Sequence, residues 1–129
     1  MGATMNSRVQ VLAHRGLVSD TAPENSLKAF ADALAIGADV IETDVQCSKD
    51  GVAIIFHDDD LKRICGLDAK VSELNWQELK NIELGNQEKI PSLEQTLLAF
   101  PNAKFNLDIK SKGAIVSTAL VINHLAVQK

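Results

Sequence analysis

The chain has 129 residues, 46% of them hydrophobic and 23% charged, the composition of a folded soluble domain. That excludes long disorder, collagen and membrane-protein classes. Thirteen basic against seventeen acidic side chains leave a formal charge of −4, and aromatics are 4%, so neither phosphate contacts nor base stacking support a nucleic-acid partner.

In chain order, residues 1–8 carry no apolar signal-peptide core, and Met1–Thr4 ahead of Met5 reads as a leader. No apolar run is long enough to span a membrane, so a cytoplasmic location is expected. The β-rich run 9–13 ends at His14-Arg15-Gly16. A polar loop with Pro23 follows, then a helical spacing of Leu27, Phe30, Ala31 and Leu34, with Asn25 as N-cap and Gly37 as stop. Residues 40–45 and 52–56 read as strands joined by the Asp50-Gly51 turn. Residues 58–90 are irregular, with one short helix opened by Asn75 and Glu78. Ser92 with Gln95 forms a second capping box, starting a helix that Pro101 stops. Residues 105–109 form another strand, and Gly113 leads into an apolar helix over 114–127. Cys47 and Cys65 have no C-x-x-C spacing and read as reduced structural thiols. Strands alternating with helices imply an α/β fold of about four parallel β–α units, with the unusual polar residues at strand C-terminal ends.

Glu42 and Asp44 lie two apart in an otherwise apolar strand, so they share a face while Ile41 and Val45 point the other way. Two acids side by side need a compensating cation or donor, and a salt-bridged pair at a sheet rim fits that pattern as well as a metal site. Asn106, Asp108 and Lys110 repeat the arrangement in the last strand. Glu42, Asp44 and Asp108 together make an all-oxygen set suited to one divalent cation, Mg²⁺ or Ca²⁺. His14 and His57 each follow a strand. Arg15 beside the first is a forked donor, and Asp58 beside the second is an orienting carboxylate. A lone histidine at a strand end usually satisfies a local hydrogen bond, but two beside three carboxylates point to an acid–base pair. His124 has no such company and reads as structural.

Taken in order, Ala13-His14-Arg15-Gly16, Pro23-Glu24-Asn25-Ser26, Gly37-Ala38-Asp39, Ile41-Glu42-Thr43-Asp44-Val45, Asp50-Gly51 and Phe56-His57-Asp58 resemble the glycerophosphodiester phosphodiesterase family. So do Leu74-Asn75-Trp76 and Ile90-Pro91-Ser92-Leu93-Glu94, and the resemblance runs from Val9 to Lys110. It implies a TIM-barrel fold and metal-dependent hydrolysis of a small glycerophosphodiester to sn-glycerol 3-phosphate and an alcohol. It also implies roles. His14 and His57 match the acid–base histidines, while Glu42 and Asp44 match metal-binding acids. Arg15 and Lys110 match phosphate-contacting bases, and Glu24 and Asn25 match a motif bordering the substrate site. Asp108 stands where the family most often carries Glu, one methylene longer.

A (β/α)₈ barrel takes eight strands and about 250 residues. Residues 1–129 therefore read as the N-terminal half of such a barrel, with 58–90 as a family-type insertion. Three expectations follow: a half-barrel completed by a second copy and active as a homodimer, a catalytically inactive truncated fragment, or a metal- or phosphate-binding half-barrel.

Overall fold

A computed structural model of the chain describes residues 9–127; the leader expected at Met1–Thr4 lies outside them. Strands β1 (Leu12–His14), β2 (Val40–Cys47), β3 (Ala53–Ile55) and β6 (Lys104–Ile109) form one sheet centred on β2. β1 and β6 run parallel to β2, with His14 opposite Glu42 and Asp44 opposite Asp108.

β3 runs antiparallel to β2, Val45 opposite Ile55. This corrects the expectation of four parallel units, because among the described residues only β1, β2 and β6 are mutually parallel. The cause is the Asp50-Gly51 turn. Ser48 donates to the Asp50 carboxylate at 2.6 Å, and Gly51 takes φ +85°, so the chain folds straight back as a hairpin. No crossover can fit into so short a link.

Helix α1 (Leu27–Ala35) buries Ala29, Phe30 and Ala33 against the sheet. Phe30 meets Phe100 and Phe105 edge-on, with ring centroids 6.4 and 5.9 Å away. Its N-cap is Ser26, whose Oγ accepts the Ala29 N–H at 3.0 Å. The cap expected at Asn25 thus shifts by one residue, since the Asn25 side chain is engaged on β2. Gly16, at φ +86°, lies so close to α1 that a Cβ there would sit 2.7 Å from the Ala29 backbone. Only glycine fits that approach.

Residues 58–90 contain more structure than the one expected helix: α2 (Lys62–Cys65), a 3₁₀ turn (Val71–Glu73), α3 (Trp76–Leu79) and a hairpin of β4 (Glu83–Gly85) with β5 (Glu88–Lys89). Leu61, Val71, Leu79, Leu84 and Ile90 close over Ile54 and Phe56 of the β3 segment to make a second core. Ala53 and Ile55 face the main core, so the short run 53–56 serves as a wall between the two.

Helix α4 (Leu93–Ala99) opens on the expected box, Gln95 N–H on Ser92 Oγ at 3.0 Å and Ser92 N–H on Gln95 Oε1 at 2.8 Å. Helix α5 (Lys112–Val127) buries Ala114, Ser117 and Thr118 and leaves Ile115, Val116, Leu120 and Ile122 exposed. The helices cover the sheet face of Ile41, Val45, Phe105, Leu107 and Ile109. The opposite face bears Glu42, Asp44, Asn106 and Asp108. Among the described residues no helix is long and apolar enough to cross a membrane.

Candidate active site

Parallel pairing brings the polar residues of three strands into register at one end of the sheet. His14 closes β1, with its Nε2 3.4 Å from Glu42 Oε1. Arg15 takes φ +60°, turning the chain out of the sheet while its N–H still donates to the Glu42 carbonyl at 2.6 Å. The Arg15 Nη1 donates to Glu24 Oε2 at 3.1 Å, and its Nε faces Asp44 Oδ2 at 3.4 Å. That Nε is buried and makes no hydrogen bond, so the ion pair with Asp44 is its compensation within the site.

Asp44 is almost fully buried. It accepts from Asn25 Nδ2 at 3.0 Å, and Lys110 Nζ lies 3.3 Å from its other oxygen. Asn25, also buried, accepts from Thr43 Oγ1 at 2.7 Å, so its amide links the side chains of Thr43 and Asp44 on β2. At φ +59° it occupies a backbone region that asparagine tolerates better than most residues.

Lys110 Nζ donates to Asp108 Oδ2 at 2.8 Å. That bond holds the Asp108 carboxyl below the usual carboxylate range and raises the lysine in turn. Among the described residues no three His, Cys, Asp or Glu side chains stand together as a ready metal cluster. The physical reason lies in the same contacts. Glu42, Asp44 and Asp108 share a face, but the Lys110 ammonium lies between Asp44 and Asp108, where it offsets their repulsion. The donor set still fits a hard divalent ion: it is all oxygen, and Asp44 and Asp108 are direct cross-strand partners with Glu42 one pleat away.

His57 follows β3, and its Nδ1 lies 2.6 Å from Asp58 Oδ1. A carboxylate only accepts, so Nδ1 carries the proton and Nε2 is the nitrogen free for proton transfer. Hydrogen bonds from Arg63 above all, then the His57 contact, pull Asp58 down to about 2. Gln46, on the same face of β2 as Asp44, donates its amide to the carbonyls of His57 and Asp58 at 3.0 and 3.1 Å, fixing this loop to the sheet. Sequence reasoning missed Gln46 and Arg63. Gln46 continues the two-residue alternation of Glu42 and Asp44, a signal that was there to follow. Arg63 offered none, because one of its partners, Glu24, is remote in sequence.

The family profile described as "Glycerophosphoryl diester phosphodiesterase family" matches residues 14–121. The chain is 43% identical over 111 residues to probable glycerophosphodiester phosphodiesterase 2 of Mycobacterium tuberculosis, covering 86% of this chain and 42% of that one. It is 33% identical over 118 residues to lysophospholipase D GDPD1 of Homo sapiens, covering 81% and 37%. Among solved structures, a phosphodiesterase of Oleispira antarctica in complex with the product sn-glycerol-3-phosphate superposes with a TM-score of 0.81 at 31% identity, covering 93% of this chain and 54% of that one. A glycerophosphodiester phosphodiesterase of Thermotoga maritima gives 0.76 at 37% identity, covering 91% and 50%. The chain thus spans less than half the length of these curated relatives and about half of the solved chains.

Proposed function

The chain belongs to the glycerophosphoryl diester phosphodiesterase family, and from that premise we propose that its site serves metal-dependent hydrolysis of a glycerophosphodiester to sn-glycerol 3-phosphate and an alcohol. One observation carries the reading: His14, Glu42, Asp44, Asp108 and Lys110 meet on one sheet face through the His14–Glu42 and Asp44–Asp108 registers, with Arg15 beside them.

Glu42, Asp44 and Asp108 would hold one Mg²⁺ or Ca²⁺, which when bound neutralises charge on the phosphodiester oxygens. Arg15 and Lys110 add fixed positive charge for the same oxygens. One histidine of the His14/His57 pair takes the proton of the attacking water, and the other protonates the departing alkoxide, each contributing about 10²–10⁴-fold. Glu24 and Asn25 border the substrate by holding Arg15 and Asp44 in place.

The architecture is read as the N-terminal half of a TIM barrel over 1–129, with 58–90 as its insertion. Among the described residues β6 pairs with β2 and offers its other edge, and a second copy of the chain is the proposed partner that completes the sheet. A cytoplasmic setting suits the two free thiols; burial pushes Cys65 up to about 11, the state of an inert structural cysteine.

The test is hydrolysis of glycerophosphocholine with and without EDTA, alongside light scattering. Turnover by a dimer that EDTA abolishes and His57→Ala reduces by about 10²-fold or more is the expected result. Full activity in the His57→Ala variant would sink the acid–base assignment. Metal binding without turnover would favour a binding half-barrel.

A further inference from the structure

We propose that Arg63 is a positioning residue that ties the two sides of the catalytic machinery together, holding His57 through Asp58 and Arg15 through Glu24. The inference rests on the phosphodiesterase reading of the site. Arg63 lies on α2, within the 58–90 segment rather than on the sheet. Its guanidinium grips Glu24 with Nη1 on Oε1 at 2.9 Å and Nη2 on Oε2 at 3.0 Å. The same group grips Asp58 with Nε on Oδ2 at 2.9 Å and Nη2 on Oδ1 at 3.0 Å.

The oxygens that Nη2 meets are the ones that matter. Glu24 Oε2 also accepts from Arg15 Nη1, and Asp58 Oδ1 also accepts from His57 Nδ1. One nitrogen of Arg63 therefore shares an acceptor oxygen with the phosphate-contacting arginine on one side and with the acid–base histidine on the other. An exposed ion pair usually contributes little. This one is bidentate at both ends, and its two carboxylates are largely buried, at 16% and 21% side-chain exposure. Lysine offers one ammonium and cannot span both carboxylates with a planar fork.

Without Arg63, Asp58 and Glu24 lose their shared cation. Asp58 is then free to rotate away from Nδ1, and His57 is no longer confined to the tautomer that leaves Nε2 unprotonated. A residue serving only to staple α2 would leave that tautomer untouched.

The experiment compares Arg63→Ala and Arg63→Lys with the unsubstituted chain by long-range ¹H–¹⁵N NMR of the His57 ring and by glycerophosphocholine hydrolysis, with thermal unfolding to confirm the fold. In the unsubstituted chain His57 shows a single Nδ1–H tautomer. Arg63→Ala mixes the tautomers and lowers kcat about 10- to 100-fold with a smaller change in KM, and Arg63→Lys falls between. A wild-type ring spectrum and kcat in a folded Arg63→Ala variant would overturn the proposal. If no form turns over, the hydrolase reading fails on its own, and the ring spectrum still decides what Arg63 does. If Arg63→Ala does not fold, Arg63→Lys, which keeps the charge and loses the fork, carries the same readouts.

Discussion

Asp44 and Asp108 face each other across β2 and β6, yet their surroundings differ sharply. Asp44 is buried among Asn25, Arg15 and Lys110, whereas the Asp108 side chain is 60% exposed and hydrogen-bonded to Lys110. Asp44 is therefore preorganised and Asp108 adaptable, so Asp108 is where a change in length can be absorbed. Restoring the longer carboxylate, Asp108→Glu, is expected to change Mg²⁺ and Ca²⁺ affinity while leaving the fold intact; titration calorimetry checks this, and unchanged affinity for both ions counts against a direct ligand. Asp58 yields a prediction about acid. Its carboxyl is lowered from the ordinary 3.8 to about 2 on folding, so the unfolded chain binds the proton more readily. The stabilisation it contributes is complete above about pH 4 and is lost as pH falls through about 2. The difference in urea midpoint between wild type and Asp58→Asn should therefore be flat from pH 5 to about 4 and vanish towards about pH 2. At this scale the alternation of Glu42 with Asp44 revealed the shared face from sequence alone. It could not reveal that Asn25 caps nothing, because one residue's shift along the chain gives the cap to Ser26 and frees Asn25 for β2.

Among the elements, local signals with side-chain partners three residues apart were the legible ones. Ser92 with Gln95 marks the start of α4, and both reciprocal bonds form. Ser92→Ala removes the acceptor for the Gln95 N–H and is expected to cost about 1 kcal/mol in urea unfolding, with no effect on the site, which the helix does not touch. The β4–β5 hairpin was illegible for the converse reason. Its turn takes positive φ at Asn86 and at Gln87, +50° and +68°, and glutamine gives no hint of that conformation. The four-residue α2 is equally silent, since one turn is too short for a hydrophobic period to show and its N-cap Leu61 makes no side-chain cap, whereas α3, no longer, is marked by Asn75 and Glu78. The direction of β3 was available in the Asp50-Gly51 turn, but the alternating β–α pattern outweighed it.

For the molecule as a whole, the α/β class and the strand ends that gather the polar cluster could be read from the sequence, because parallel strands buried on one face leave a periodic record. The exposure of the outer side of α5 at Ile115, Val116, Leu120 and Ile122 could not, since apolar residues on both sides of that helix do not mark which side packs on the sheet.

The β2–β3 hairpin also sets an order of events in time. Its two strands are joined by one tight turn, whereas β1 reaches β2 across a loop and helix α1, and β6 reaches it only after the whole 58–90 segment and α4 have been gathered in. Hairpins close in about 1–10 μs, while pairing across long loops bears the full closure entropy first. Substitutions in the hairpin, such as Ile55→Val, should then slow folding, and those in β6, such as Ile109→Val, should mainly speed unfolding; stopped-flow chevrons of the two variants check this. The His14–Glu42 and Asp44–Asp108 registers belong to the late pairings. On that order the sheet face that holds these registers is expected to form after the hairpin and to open before it.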